Sequence, residues 1–279
     1  MPARPRTPTG GTWPVRFGSA ELVRDLDRPA GWMLLVDGTP QSYVDLDDPG
    51  HLEFHYLRLL GDLLDAVGEP GEPLTVVHLG GGGCSLARYV AHTRPGSTQV
   101  VVEADEPLVE VVRTQLGTPG FRLRAGDGRE ALQHLRPGTS DAVVSDVFVG
   151  ARVPPHLATV EAAREVRAVL RPGGLYAVNL ADSGPLPYAR GQAATLAEVF
   201  AHVVVLADPG VLRGRRFGNL VLGASDTPFR VDDLRRVSAR SLGRARVEGG
   251  RGFVKGARPA TDADPPEAPL PPAGLFARP

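Results

Sequence analysis

Val76-Val77-His78-Leu79 runs directly into Gly80-Gly81-Gly82-Gly83-Cys84-Ser85, and Glu103 closes the next apolar run, Thr98-Gln99-Val100-Val101-Val102. Glycines without a Cβ let a turn present its backbone N–H groups to a ligand at the head of the following helix. An acid about 20 residues further on is where such a site meets ribose hydroxyls. The combination predicts a nucleoside site, with Gly80, Gly81 and Gly82 in the turn and Glu103 on the ribose. It is not a dinucleotide fingerprint, because Ser85 or Leu86 stands where a GxGxxG begun at Gly80 or Gly81 requires its last glycine. Asp127-Gly128 follows a third run, Phe121-Arg122-Leu123-Arg124-Ala125. A carboxylate there can accept from an adenine amine, and Asp also suits a helix N-cap; the two roles are compatible. Asp146 ends a fourth run, at the carboxyl edge where open α/β sheets bind ligands. It can hold an ammonium group, take its proton and aim the lone pair at a carbon beside a sulfonium, or it can cap the following loop.

Cys84, the sole cysteine, excludes an intrachain disulfide and fits a reducing compartment. No neighbouring residue is an evident activating base, so it reads as a small residue in a tight turn rather than a nucleophile. His51 and His55 have a metal-compatible i, i+4 spacing, but no third ligand accompanies them, and no metal is expected. His55 is expected to line the cleft or lie at the surface. Arg235, Arg236, Arg240, Arg244 and Arg246 are interleaved with or preceded by Asp232 and Asp233, which reads as a solvated face rather than a nucleic-acid contact.

These residues need a scaffold, and the spacing of apolar runs supplies one. Residues 1–14 are rich in Pro, Gly and Thr and are expected to be poorly ordered. Residues 15–48 read as a small antiparallel β unit with a turn at Asp37-Gly38. Asp48-Pro49 predicts a helix start, followed by Leu52, Tyr56, Leu59, Leu60, Leu63 and Leu64 on one face. Over 49–254, strands at 75–79, 98–103, 121–125, 142–146 and 175–180 alternate with helices, as in a parallel sheet covered on both faces. Segments 202–206 and 219–223 are expected to form its antiparallel edge. Residues 255–279, with Pro265-Pro266 and Pro271-Pro272, read as a flexible tail. The fold class is α/β, a doubly wound Rossmann-like sheet preceded by a small β unit. A chain of 279 residues, 42% of them hydrophobic, can bury a substantial core. Its net charge of -1 offers no long-range attraction to nucleic acid or anionic lipid. Without a run of ~20 apolar residues or a secretory leader pattern, the expectation is a soluble cytoplasmic protein with no membrane partner.

The glycine turn, Glu103-Ala104-Asp105, Asp127-Gly128 and Asp146 resemble the class I methyltransferase fold. With Leu34-Leu35-Val36-Asp37-Gly38-Thr39-Pro40-Gln41 ahead of them and Gly214-Arg215-Arg216-Phe217-Gly218 behind, the chain resembles the polyamine aminopropyltransferases, of which spermidine synthase is the familiar member. The likeness runs from about residue 32 to 223. It implies an enzyme of polyamine biosynthesis that moves an aminopropyl group from decarboxylated S-adenosylmethionine to a small-molecule amine. Glu103 would hold the ribose, Asp127 and Gly128 the adenine end, Gln41 would line the substrate cleft, and Asp146 would be the catalytic carboxylate. Family members commonly form homodimers. Three positions depart from the family pattern. Gly83 replaces the acid that follows three glycines, Val149 replaces the second acid of an Asp-x-x-Asp, and Val211-Leu212-Arg213 offers no tyrosine. Fewer carboxylates weaken the hold on a dication, and an arginine there repels a polyamine but suits a carboxylate. Two other readings stay open: an S-adenosylmethionine-dependent methyltransferase, for which Gly83 leaves room for a methionine carboxylate, and a non-catalytic ligand-binding relative.

Overall fold

The computed structural model describes residues 8–240 and 245–272. Strands β1 (Gly11–Val15), β2 (Gly18–Arg24), β3 (Gly31–Val36) and β4 (Thr39–Asp45) form an antiparallel sheet in that order. Asp37 and Gly38 join β3 to β4 with φ of 48° and 75°, the paired positive angles that a two-residue hairpin turn requires. The expectation for residues 1–14 is corrected over 11–14, which form most of β1. Their order comes from pairing with β2, Gly11 opposite Leu22, and from Trp13 and Val15 packing on the core below. Residues 1–7 lie outside the described residues.

Helix α1 (His55–Asp65) buries the predicted Leu59, Leu60, Leu63 and Leu64 together with Leu57, but it begins six residues after Pro49, so that Leu52 precedes it. Asp48 is not its N-cap, because Arg28 bridges Asp45 and Asp48 at 2.7 and 2.8 Å and holds this corner to the N-terminal sheet. The second sheet contains β5 (Thr75–Leu79), β6 (Thr98–Glu103), β7 (Arg122–Ala125), β8 (Ser140–Ser145), β9 (Leu170–Asp182), β10 (His202–Ala207), β11 (Gly218–Ser225) and β12 (Arg246–Gly249). Its order is β12-β10-β11-β9-β8-β5-β6-β7, parallel from β7 to β9 and antiparallel beyond. Strand order reverses between β5 and β8, and the crevice at that point is where such sheets receive ligands.

Between the strands lie α2 (Ser85–Thr93), α3 (Glu106–Val111), α4 (Gly128–Gln133), α5 (Val160–Val169), α6 (Pro187–Ala197), α7 (Pro209–Leu212), α8 (Val231–Arg240) and α9 (Gly250–Phe253). Side-chain alternation sends Val77, Leu79 and Val143 to one face with α5 and α6, and Val76 and Val144 to the other with α1, α2 and α8. Trp32, Leu34 and Val44 join Ala87, Val101, Leu108 and Phe121 in a third core, which seats the N-terminal sheet beside the glycine turn.

The expected flexible tail is corrected for residues 255–272. Asp262 accepts from Arg129 and Thr159, the Ala260 N–H donates to Thr195, and Ala268 is buried. Prolines deny this stretch a helix or ladder, yet they leave its side chains free to anchor it. Residues 273–279 lie outside the described residues. Among the described residues, no helix is long and apolar enough to cross a membrane.

Candidate active site

The crevice is built around the backbone of residues 80–84. Gly80 leaves β5 with φ 83°, and a Cβ there would stand 2.2 Å from the Asp146 carbonyl oxygen. Only glycine lets the exits of β5 and β8 lie this close. The Gly81 and Gly82 N–H groups donate to Oε2 of Glu103 at 2.9 and 3.1 Å, and Gly83 N–H donates to Ser42 Oγ at 2.9 Å. Glu103, read from the sequence as a ribose ligand, thus fastens the glycine turn from the end of β6. Cys84 is buried with φ 62°, and burial pushes its thiol up to about 12. A thiol that holds its proton so firmly fits a packing role.

Ser42 is the β4 residue that lines the crevice; Gln41, the residue singled out from the sequence, is its half-buried neighbour at a bulge in the β3–β4 pairing. Val44 and Ser42 also fill the space beside Gly83, where a Cβ would stand 3.1 and 3.0 Å from them. A side chain at Gly83 would therefore press on β4.

Asp127 follows β7 on the same edge and caps α4. Its Oδ1 accepts from the Arg129 and Glu130 N–H groups at 2.8 and 3.1 Å, and its Oδ2 lies 2.9 Å from His156 Nε2. Burial raises its carboxyl, but the backbone donors and His156 outweigh that and hold it below the usual carboxylate range. Gly128 is buried against Leu79 and Leu157. His156 stands alone in a Pro-Pro-His-Leu stretch with no local signal of this contact.

Asp146 stands where β8 ends, its N–H bonded to the Leu79 carbonyl at 2.9 Å. Asn179 Nδ2 on β9 donates to its Oδ1 at 2.8 Å, and Asn219 on β11 in turn donates to Asn179 at 3.1 Å. Tyr56, from the first turn of α1, lines the same cavity, and its hydroxyl interacts with the Asp146 carboxylate. Burial raises the Asp146 carboxyl, the Asn179 bond lowers it, Glu103 raises it and Tyr56 lowers it, leaving it at about 6. Tyr56 reads as one more apolar position in a helical stripe, and Asn179 lies inside a strand; their role appears only when α1, β8 and β9 meet. Ser42, Tyr56, His78, Gly80 and Asp146 enclose a cavity of about 30 Å³, on the scale of a water molecule or an amino group.

The paired histidines do not share a helix. His51 precedes α1 and bonds Glu53 at 2.9 Å, whereas His55 is the first helical residue. Arg235 and Arg236 pair with Asp232 and Asp233 along α8, the solvated face expected of them. The Arg240 side chain and Arg244 lie outside the described residues, and Arg246 is exposed on β12.

Fold and crevice together define an α/β domain of the methyltransferase class, and residues 77–178 match the methyltransferase domain family. The chain is 31% identical to the polyamine aminopropyltransferase of Chromobacterium violaceum over 146 residues, which are 50% of this chain and 54% of that one. It thus spans about half the length of that curated relative. A probable spermidine synthase from Corynebacterium glutamicum superposes with a TM-score of 0.85 at 34% identity, covering 92% of this chain and 97% of the other. A spermidine synthase solved with the transition-state analogue AdoDATO shares the fold at 17% identity, with a TM-score of 0.58 over 84% of this chain and 77% of that one. The chain belongs to the spermidine synthase-like, polyamine aminopropyltransferase family.

Proposed function

We propose that this protein transfers an aminopropyl group from decarboxylated S-adenosylmethionine to a primary amine, as a cytoplasmic enzyme of polyamine-type chemistry. The observation that carries the reading is Asp146, a carboxylate poised at about 6 beside the glycine turn and gripped by Asn179 and Tyr56. A base with that affinity is largely ionised at neutral pH yet basic enough to assist proton removal. The acceptor nitrogen attacks the methylene next to the sulfonium, the C–S bond breaks, and sulfur keeps the electron pair as the neutral thioether of methylthioadenosine. The nitrogen, now carrying the aminopropyl group, gives up one proton to Asp146. Glu103 is assigned to the ribose and Asp127 with Gly128 to the adenine.

The decarboxylated donor is favoured over the intact one by the donors of the turn. The N–H groups of Gly81, Gly82 and Gly83 are already bonded to side chains. A methionine carboxylate would have to displace those partners to be held there.

The test is methylthioadenosine release from the decarboxylated donor with a panel of primary amines, for the wild type and Asp146→Asn. The reading expects turnover in the wild type and a loss of at least ~100-fold in the variant. No release with any amine, or equal release from both proteins, contradicts it.

A further inference from the structure

On the side of Asp146 away from Glu103, the hydrogen-bond chain through Asn179 and Asn219 leads to residues 213–216, the turn between α7 and β11. That turn projects from the carboxyl end of β9, since Gly218 pairs with Asp182, the last residue of β9. Its path is set by backbone bonds from Gly214 to Val211 and from Arg215 to Gly210, and Gly214 lies against the Gly184 carbonyl. The turn holds Arg213, Arg215 and Arg216. Only Arg216 has a carboxylate partner among the described residues, Asp208 at 3.1 Å. Across from it, His55 heads α1 next to Tyr56, and the charges that face it are Asp208, Arg58 and Arg216. His55 Nε2 is buried without a hydrogen-bond partner among the described residues. Arg58 donates to the Leu52 and Glu53 carbonyls and, among the described residues, to no carboxylate.

The acids on this side are already engaged. Asp208 accepts from the Gly210 N–H as well as Arg216, Asp182 accepts from the Ser183 and Ala189 N–H groups, and Asp146 has Asn179 and Tyr56. Val149, three residues beyond Asp146, offers no charge. An amine whose far end is a second ammonium would therefore meet surplus positive charge, with Asp208, Asp182 and Asp146 already engaged.

We infer that the acceptor is a primary amine whose distal end carries a carboxylate, received by the arginines of the 213–216 turn together with His55. This rests on the aminopropyl-transfer reading and narrows its acceptor. Transfer follows the bond changes given above, with only the tail of the acceptor altered.

A series of near-equal length separates tail charge from size: 4-aminobutyrate, n-butylamine and putrescine, each with the decarboxylated donor at low salt. We expect kcat/KM for 4-aminobutyrate to exceed that for putrescine by at least ~10-fold, with butylamine between them and the gap narrowing as salt is added. Arg213→Glu/Arg215→Glu alters exposed side chains without carboxylate partners and should cut that ratio at least ~10-fold while leaving methylthioadenosine affinity unchanged. Putrescine equal to or better than 4-aminobutyrate in the wild type, or an unchanged ratio in the variant, overturns the inference. Absence of methylthioadenosine binding would instead sink the aminopropyl reading itself. If the nucleoside binds and none of the three amines turns over, calorimetry of 4-aminobutyrate and putrescine on the nucleoside complex decides: preference for the carboxylate supports the inference, and its absence overturns it.

Discussion

Asp146→Asn keeps the shape of the carboxylate and removes its charge, so it should stabilise the fold at the pH where Asp146 is ionised while disabling transfer. The native carboxyl sits at about 6 against an ordinary value of 3.8. At ~1.4 kcal/mol per unit, that gap corresponds to a ceiling of about 3 kcal/mol, and residual solvent contact reduces the expected gain to roughly 1–2 kcal/mol. The sign follows from proton binding. Below about pH 4 Asp146 is protonated in both folded and unfolded chains, and the wild type bears no penalty. As pH rises towards and through about 6, the native group must ionise in its enclosed setting, and the wild type loses stability relative to the variant. Thermal unfolding of both proteins from pH 4.5 to 7.5 reads this directly. The variant should gain about 2–8 °C at pH 7.5, with the difference shrinking towards the acid end. A pH-independent difference, or a variant less stable than wild type at pH 7.5, would refute the assignment of a raised Asp146.

Other outcomes follow from the same geometry. Tyr56→Phe removes a donor that lowers Asp146, so the acid limb of the kcat/KM profile, expected near 6, should move up in pH while methylthioadenosine affinity holds; an unmoved limb would detach Tyr56 from the base. Glu103→Gln keeps the bulk but loses the charged acceptor for ribose hydroxyls and for the Gly81 and Gly82 N–H groups; calorimetry should show methylthioadenosine binding weakened by about 1–3 kcal/mol. Gly80→Ala places a methyl 2.2 Å from the Asp146 carbonyl at a positive φ, and denaturant unfolding should show a loss of more than about 2 kcal/mol.

Much of the scaffold is legible from the chain because β-branched runs such as 75–79 and 98–103 are too short and too apolar for surface helices, and they end in glycines or in an acid. Glu103, Asp127 and Asp146 can be picked out for that reason: each follows or closes a run whose carboxyl end faces the crevice. What stays hidden depends on partners distant in sequence. Asp48 looks like a helix cap until Arg28 takes it, and the proline-rich tail looks free until Arg129, more than a hundred residues earlier, grips Asp262. Tyr56 and Asn179 carry the least local signal, since one sits in an apolar stripe and the other in a strand, and only their convergence on Asp146 gives them a role. Gln41 illustrates the reverse case: a motif locates the correct strand, but β4 alternates and bulges so that Ser42 faces the glycine turn.

Calorimetric titration with decarboxylated S-adenosylmethionine, intact S-adenosylmethionine and methylthioadenosine decides which donor the site takes, because the first two differ only by the carboxylate for which the N–H groups of Gly81, Gly82 and Gly83 are already engaged. Aminopropyl transfer requires the decarboxylated form to bind at least ~10-fold more tightly than the intact one, with methylthioadenosine also bound. Tighter binding of intact S-adenosylmethionine would contradict aminopropyl transfer.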